Sequence, residues 1–397
     1  MLISVPDARK LLTANVVNWG DEVVPLARAG GRTLRETVVA DRDQPAFDRV
    51  AMDGIALSYA SYAAGQRFFP VARLQAAGDV PQLLTDPTQC VEIMTGAALP
   101  PGTTTVIRYE DLRREGNGFH LPEDVRDATN IHYRGKDVAE GTDLLEPGRA
   151  IGVGETGMLA TCGYAEVRVS KLPRVAVIAT GNELVPVTAD PEPHQIRRSN
   201  YYQLRELLRP LGVDATLYHL VDDRALLTRE LTKILAEYDV LILSGGVSKG
   251  KLDFVPEVLT DLGVERLFHG VAQRPGKPLW AGRTADKMVF GLPGNPVSSV
   301  SCTIHYVLPW LRMGLGLAER PPVFAQLTEE VVFKPDLTLY ARVALRSDPA
   351  TGELLAIPVR HAGSGDGRSL TRSHAFAELG GAEVFPVGTV VRVRSID

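Results

Sequence analysis

Three loops in this chain combine glycine or proline with groups that bind anions, and five acidic residues stand at comparable loop positions. In Ser244-Gly245-Gly246-Val247-Ser248-Lys249-Gly250, glycines follow an apolar run, so backbone N–H groups can approach a phosphate while the hydroxyls offer further donors. Asp253 comes just before the next helical pattern, where it either caps that helix or holds a magnesium ion beside the phosphate loop. In Leu292-Pro293-Gly294-Asn295-Pro296, Asn295 is placed to cap a following helix and Pro296 to open it. The two prolines stiffen the turn and pre-organise it for an oxyanion. Arg274-Pro275-Gly276-Lys277-Pro278 sets a guanidinium fork and an ammonium three residues apart, a pair suited to phosphate or another tetrahedral oxyanion. The acidic set is Asp53, Asp137, Glu183, Asp222 and Asp253. Singly, each would be a surface residue or a cap. Gathered around a pyrophosphate they would bind Mg²⁺, which offsets phosphate charge and improves a nucleotide as leaving group.

The elements that must carry these loops are legible from periodicity. Residues 6–17 place Ala8, Leu11, Leu12 and Val16 at helical spacing behind Pro6. Residues 23–162 contain short apolar runs broken by Gly and Pro, the texture of β-rich, intertwined small domains. From Val175-Ala176-Val177-Ile178-Ala179 onward, continuous apolar runs of strand length alternate with amphipathic segments. Strands are expected at 175–179, 216–220, 240–243 and 289–290, with helices at 199–211, 226–238, 255–262 and 297–311. Alternation of this kind predicts a parallel sheet with helices on both faces. Such sheets bind ligands at the carboxyl ends of their strands, where the glycine and proline loops fall. Beyond Pro321-Pro322 strand-like runs return, which predicts a small all-β C-terminal domain. Gly152-Val153-Gly154-Glu155-Thr156-Gly157 matches a dinucleotide fingerprint, but no apolar strand precedes it, and a turn into a helix is the reading adopted.

Composition sets the bounds. At 397 residues the chain should form several domains, and 45% hydrophobic with 23% charged residues is a globular balance. A formal charge of −5 argues against nucleic acid as the main partner. No apolar run is long enough to span a membrane and the first residues lack a leader pattern, so a cytoplasmic protein is expected. Cys90, Cys162 and Cys302 are too few and too dispersed for a disulfide framework or a zinc site.

Taken as a set, Phe47-Asp48 before Ala51-Met52-Asp53-Gly54, Ile93-Met94-Thr95-Gly96-Ala97, Arg134-Gly135-Lys136-Asp137, Thr180-Gly181-Asn182-Glu183-Leu184, the 244–248 loop and the two proline loops make the chain resemble the molybdopterin molybdenumtransferases, the family of bacterial MoeA and the gephyrin E-domain. The likeness runs from about Ala8 to the C-terminus. It implies an N-terminal helix (1–20), an elongated domain (21–49 and 131–172), an inserted β-rich domain (50–130), a molybdopterin-binding αβ domain (173–320) and a C-terminal β-barrel (321–397). It also implies a homodimer whose active site is shared between subunits, so that Asp53, Thr95 and Asp137 would act across the interface. The implied reaction inserts molybdate into adenylyl-molybdopterin, with Mg²⁺ assisting release of AMP. Thr180, Gly181, Ser244, Gly245, Gly246, Ser248 and the Pro293, Gly294, Asn295, Pro296 turn would hold the pterin nucleotide. Arg274, Lys277, Pro293 and Pro296 would line the molybdate pocket, and Glu183, Asp222 and Asp253 would hold the metal. Implied pathway partners are a molybdopterin adenylyltransferase and the molybdoenzyme apoproteins or their chaperones. Four places depart from the family pattern: Asn182 for Asp, Arg274 for Lys, Lys249 for a small apolar residue, and Arg49-Val50 for Asn-Ser. The gephyrin likeness and Asn182 also admit a non-catalytic pterin-binding or scaffold protein.

Overall fold

The computed structural model describes residues 2–247 and 254–396, so Ser248, Lys249 and Asp253 lie outside the described residues. The chain divides into two compact units, one made of residues 37–146 and 154–165 and the other of the remainder. The first helix, α1 (Val5–Thr13), belongs to the larger unit. The Ser4 hydroxyl caps it by accepting from the Asp7 N–H, and its apolar stripe of Val5, Ala8 and Leu12 is buried. It ends at Thr13 rather than at the expected residue 17, because the chain beyond Ala14 leaves the helical path.

The smaller unit is β-rich, as its broken apolar runs predict. A short strand β1 (Arg49–Val50) is followed by β2 (Gly54–Leu57), β3 (Phe68–Gln75), β4 (Cys90–Ile93), β5 (Thr105–Arg108), β6 (Arg113–Glu115) and β7 (Gly118–His120). The last six form one sheet in the order β5-β2-β4-β3-β7-β6. Strand β8 (Ile131–His132) pairs antiparallel with β1. The apparent dinucleotide fingerprint sits at and inside a helix, α2 (Val153–Thr161), with Gly154 and Gly157 both helical.

The larger unit continues with β9 (Val175–Thr180), α3 (Ser199–Leu208), β10 (Thr216–Leu220), α4 (Arg224–Glu237), β11 (Val240–Ser244), α5 (Val255–Asp261), β12 (Glu265–His269), β13 (Gln273–Arg274), β14 (Trp280–Arg283) and β15 (Met288–Leu292). The sheet order is β10-β9-β11-β15-β14-β12. The first four strands are parallel, and at one edge the reversed strand β14 pairs antiparallel with both β15 and β12. The expected parallel sheet thus carries an antiparallel addition, because the short β14-to-β15 connection through Thr284 and Lys287 reverses the chain without a crossover helix. Alternate residues of β9 enter different cores: Val175 and Val177 pack with α1 and α3, whereas Ala176 and Ile178 pack with α4 and α5. That two-sided burial accounts for the unbroken apolar runs.

Helix α6 (Pro296–Cys302) passes through a π turn at Thr303–Val307 into α7 (Leu308–Gly314). Pro309 has no N–H for the carbonyl of residue 305, and the widened turn precedes it. The C-terminal segment forms β16 (Val323–Leu327), β17 (Thr338–Ser347), β18 (Leu354–Pro358), β19 (Ala375–Leu379) and β20 (Val390–Ser395). These close into a barrel because β19 pairs with both β20 and β17, and β13 joins the outside of β17. Closure leaves no free edge within the five strands. All three cysteines are free and buried, as their spacing predicts.

Trp310 is fully buried, meets Trp19 and Phe290 edge-on at 5.6 and 5.5 Å, and donates its indole N–H to the Asn15 carbonyl at 3.1 Å. All three tryptophans lie in this unit, so their fluorescence follows its unfolding. Trp310→Ala should cost about 3–5 kcal/mol in a urea titration followed by the remaining indoles; a midpoint unchanged from wild type would show that this core does not hold the unit together.

Candidate active site

In the larger unit, β9, β11 and β15 end side by side, and their loops form the sheet's carboxyl edge. Gly245 and Gly246 have φ of 99° and 66°, and each lies against Thr180. A Cβ on Gly245 would stand 2.5 Å from the Thr180 carbonyl oxygen, and one on Gly246 would stand 2.8 Å from Thr180 Oγ1. Only glycine therefore lets the two strand ends meet. The buried Thr180 hydroxyl has no hydrogen-bond partner among the described residues. Gly181, at φ 145°, is covered by its own loop: a Cβ there would lie 2.5 Å from Glu183 Oε2, so the Glu183 carboxylate folds back over this glycine.

The Pro293-to-Pro296 turn is held from below. The Asn200 amide donates to the Gly294 carbonyl at 2.7 Å, to Ser244 Oγ at 2.9 Å and to Ser299 Oγ at 3.3 Å. Ser299, fully buried, contacts the Pro293 carbonyl at 2.5 Å. Asn295 occupies the N-cap of α6 and Pro296 its first turn, as expected, but the Asn295 side chain makes no cap bond. It donates instead to Ser364 Oγ at 3.1 Å, which ties the turn to a loop of the barrel.

That barrel loop, His361-Ala362-Gly363-Ser364-Gly365-Asp366, adds cations that the sequence reading did not collect. Arg342 is 5% exposed and donates to the Gly363 carbonyl at 3.1 Å and to Ser369 Oγ at 2.5 Å. Burial pushes its guanidinium down to about 10, against the opposing pull of Asp366. Burial likewise lowers the His361 imidazole, with Arg342 and Arg274 adding to the effect. Arg274 ends β13 and, like Lys277, is exposed; the Gly276 between them packs against Cys302 of α6. The missed residues left a signal: Arg342 shares the parity of Tyr340, which faces α6 and the π turn while Leu339, Ala341 and Val343 face the barrel core, and three glycines with serines follow in 363–369. Asn200 left none, because an amide early in a helix is ordinarily a surface residue.

Of the acidic residues in this unit, Glu183 is exposed on the loop after β9 and Asp222 follows β10. Asn182 Oδ1 accepts from the Asp222 N–H at 3.0 Å. An amide oxygen fills that acceptor role as well as a carboxylate does, so this departure keeps the loop contact.

The smaller unit gathers the others around β1. On one side the Ala97 and Val50 backbones bond, on the other β8 pairs with Arg49 and Val50. Asp53 Oδ1 accepts from both Thr95 N and Thr95 Oγ1, each at 2.6 Å. The hydroxyl bond and then the amide bond hold the Asp53 carboxyl below its ordinary 3.8. Asp137 Oδ1 lies 2.8 Å from His132 Nε2, and Arg134 donates to Asp43 at 2.6 Å. Asp53, Thr95 and Asp137 thus fall in one unit, and Thr180, Gly181, Glu183, Asp222, Ser244, Gly245, Gly246, Arg274, Lys277 and the Pro293, Gly294, Asn295, Pro296 turn in the other.

Comparison with known proteins agrees with this architecture. Residues 3–163 match the family described as the MoeA N-terminal region (domain I and II), and residues 176–313 match the probable molybdopterin binding domain. A molybdopterin molybdenumtransferase of Synechocystis sp. is 38% identical over 384 residues, 95% of each chain. One from Staphylococcus epidermidis is 30% identical, covering 98% of this chain and 95% of its own. The crystal structure of the molybdopterin biosynthesis MoeA protein from Pyrococcus horikosii superposes with a TM-score of 0.83 at 28% identity, covering 100% of both chains. The chain belongs to the molybdopterin molybdenumtransferases, the MoeA family of transferases in molybdenum cofactor biosynthesis.

Asn200→Ala should lower stability by about 1–3 kcal/mol and weaken molybdopterin binding, because Ser244 and Gly294 lose their common donor; unchanged affinity and melting would remove Asn200 from the site. Thr95→Val should move the Asp53 titration, read from its carboxyl ¹³C shift, up toward 3.8. The sign follows from the depressed wild-type value: the stabilisation from this contact is complete above the ordinary carboxylate range and is lost as pH falls through the depressed one. A titration identical to wild type would show that the Thr95 hydroxyl does not hold the ionised form.

Proposed function

We propose that this transferase acts on molybdopterin carrying an adenylyl group, inserting molybdate while AMP departs. The observation that carries the reading is the presence, within one unit, of two different oxyanion features. One is the glycine edge at Thr180, Gly181, Ser244, Gly245 and Gly246, completed in sequence by Ser248, which is shaped for close backbone approach to phosphates. The other is the pair Arg274 and Arg342 about His361, whose loop reaches Asn295 of the proline turn through Ser364, with Lys277 three residues beyond Arg274, a set suited to a compact dianion.

Within this reading the glycine edge orients the pyrophosphate and the cations hold molybdate against the dithiolene. Rigid support from Asn200 and Ser299 keeps the turn in place while oxo ligands are exchanged for sulfur. Glu183 and Asp222, with Asp253 outside the described residues, would hold Mg²⁺. Among the described residues no three acidic, His or Cys groups cluster closely enough to hold a metal alone. An all-oxygen pair completed by substrate phosphates is the usual magnesium arrangement, so the residues fit. When bound, the ion offsets the charge on the departing AMP. Asp53 and Asp137 contribute carboxylates, and we assign them to the same reaction through a homodimer in which each site draws on both subunits. The protein works in the cytoplasm, where its free thiols stay reduced; among the described residues no helix is long and apolar enough to cross a membrane.

Incubation with adenylyl-molybdopterin, Mg²⁺ and molybdate should release AMP and yield active cofactor; absence of both would leave only pterin binding, the scaffold alternative. Mixing Asp53→Asn with Lys277→Ala chains, each inactive alone, should restore about a quarter of wild-type turnover after subunit exchange. If mixed dimers form and stay inactive, the shared site is wrong.

A further inference from the structure

The β1–β8 ladder sets Arg49 directly opposite His132. Arg49 Nη2 lies 3.2 Å from His132 Nδ1, and His132 Nε2 lies 2.8 Å from Asp137 Oδ1. A guanidinium can only donate, so Nδ1 must offer its lone pair. The ring proton therefore sits on Nε2 and points at Asp137. The other tautomer would set an Nδ1–H against an Arg49 N–H and turn a lone pair toward the carboxylate. An imidazolium would keep the Asp137 bond but break the Arg49 one and place two cations together. Only the neutral Nε2–H form satisfies both contacts.

The backbone of the Asp137 turn does not rely on this bond. Asp137 and Val138 donate their N–H groups to the Gln44 carbonyl at 2.9 and 3.1 Å, Gly135 donates to Pro45 at 3.0 Å, and Arg134 is tied to Asp43. His132 consequently governs the rotamer of the carboxylate rather than the course of the chain. We propose that His132 is a positioning residue for Asp137 in the transfer reaction, with Arg49 fixing its tautomer. One carboxylate oxygen is held by Nε2–H, which leaves Oδ2 directed by that contact and available to the reacting partners. The proposal rests on the reading that Asp137 takes part in molybdenum insertion, and it gives a role to Arg49, one of the residues that depart from the family pattern.

The test uses the full-length protein in single- and multiple-turnover assays with adenylyl-molybdopterin and molybdate. His132→Ala should lower kcat about tenfold while KM for adenylyl-molybdopterin stays within about twofold, since a displaced carboxylate slows the step without removing substrate contacts. His132→Gln, whose amide N–H reaches the same place, should recover to within about threefold of wild type. In ¹⁵N-histidine spectra the signal that disappears in His132→Gln should carry its proton on Nε2, and Arg49→Met should convert it to a mixture of tautomers. Wild-type kcat in His132→Ala, a Gln variant as slow as the Ala one, or a proton on Nδ1 would each overturn the relay. Asp137→Asn separates the two levels. Normal turnover there removes Asp137 from the reaction and the relay with it, whereas a slow Asp137→Asn beside a normal His132→Ala defeats the relay alone.

Discussion

One amide holds the carboxyl edge of the central sheet together. Asn200 joins the end of β11 at Ser244 to the Gly294 carbonyl of the proline turn and Ser299 in the helix that follows it, so α3, β11 and the 294–299 stretch, far apart in sequence, meet at one side chain. A turn rigid enough to bind a small dianion needs its carbonyls engaged from behind, or they would face the anion and repel it. Asn200 and Ser299 take the Gly294 and Pro293 carbonyls, so those oxygens are committed to the protein. Because the same amide reaches Ser244, the glycine loop and the proline turn cannot shift independently. Binding at either loop is then felt at the other through a single short connection.

The barrel completes this arrangement from its own side. Arg342 could not remain buried on a strand without partners, and it finds them in the Gly363 carbonyl and Ser369. That anchoring shapes the 361–366 loop, which reaches the proline turn through Ser364 and Asn295. Burial lowers the Arg342 guanidinium while Asp366 pulls the other way. Cations gathered in this way make their surroundings favourable for negative charge.

Much of this was legible in the chain. The runs at 175–179 and 240–243 announced buried strands because both of their faces are covered. The glycine and proline loops fell where strand ends required them. The antiparallel edge was not legible, because β12 and β14 are short, β12 is mostly uncovered, and Glu265-Arg266 carries no apolar alternation. The π turn was hidden inside a helical pattern that Pro309 interrupts only locally. Arg342, Ser364 and Asn200 escaped for a different reason. Their significance lies in which distant residue each one meets, and spacing along the chain carries no record of that.

The carboxylates of the smaller unit show how an exposed acid can still be a defined one. Asp53 has both Thr95 donors on Oδ1, and Asp137 has the His132 ring on Oδ1, so in each case a neutral donor fixes one oxygen. A lysine or arginine in the same place would fix the oxygen equally well but would also cancel the charge. At Asp53 the neutral Thr95 donors favour the ionised form and leave the second oxygen electron-rich. At Asp137 the cation is present but one residue removed: Arg49 sits behind the imidazole and sets its proton without touching the acid. The imidazole thus stands between the charge of that arginine and the carboxylate of Asp137.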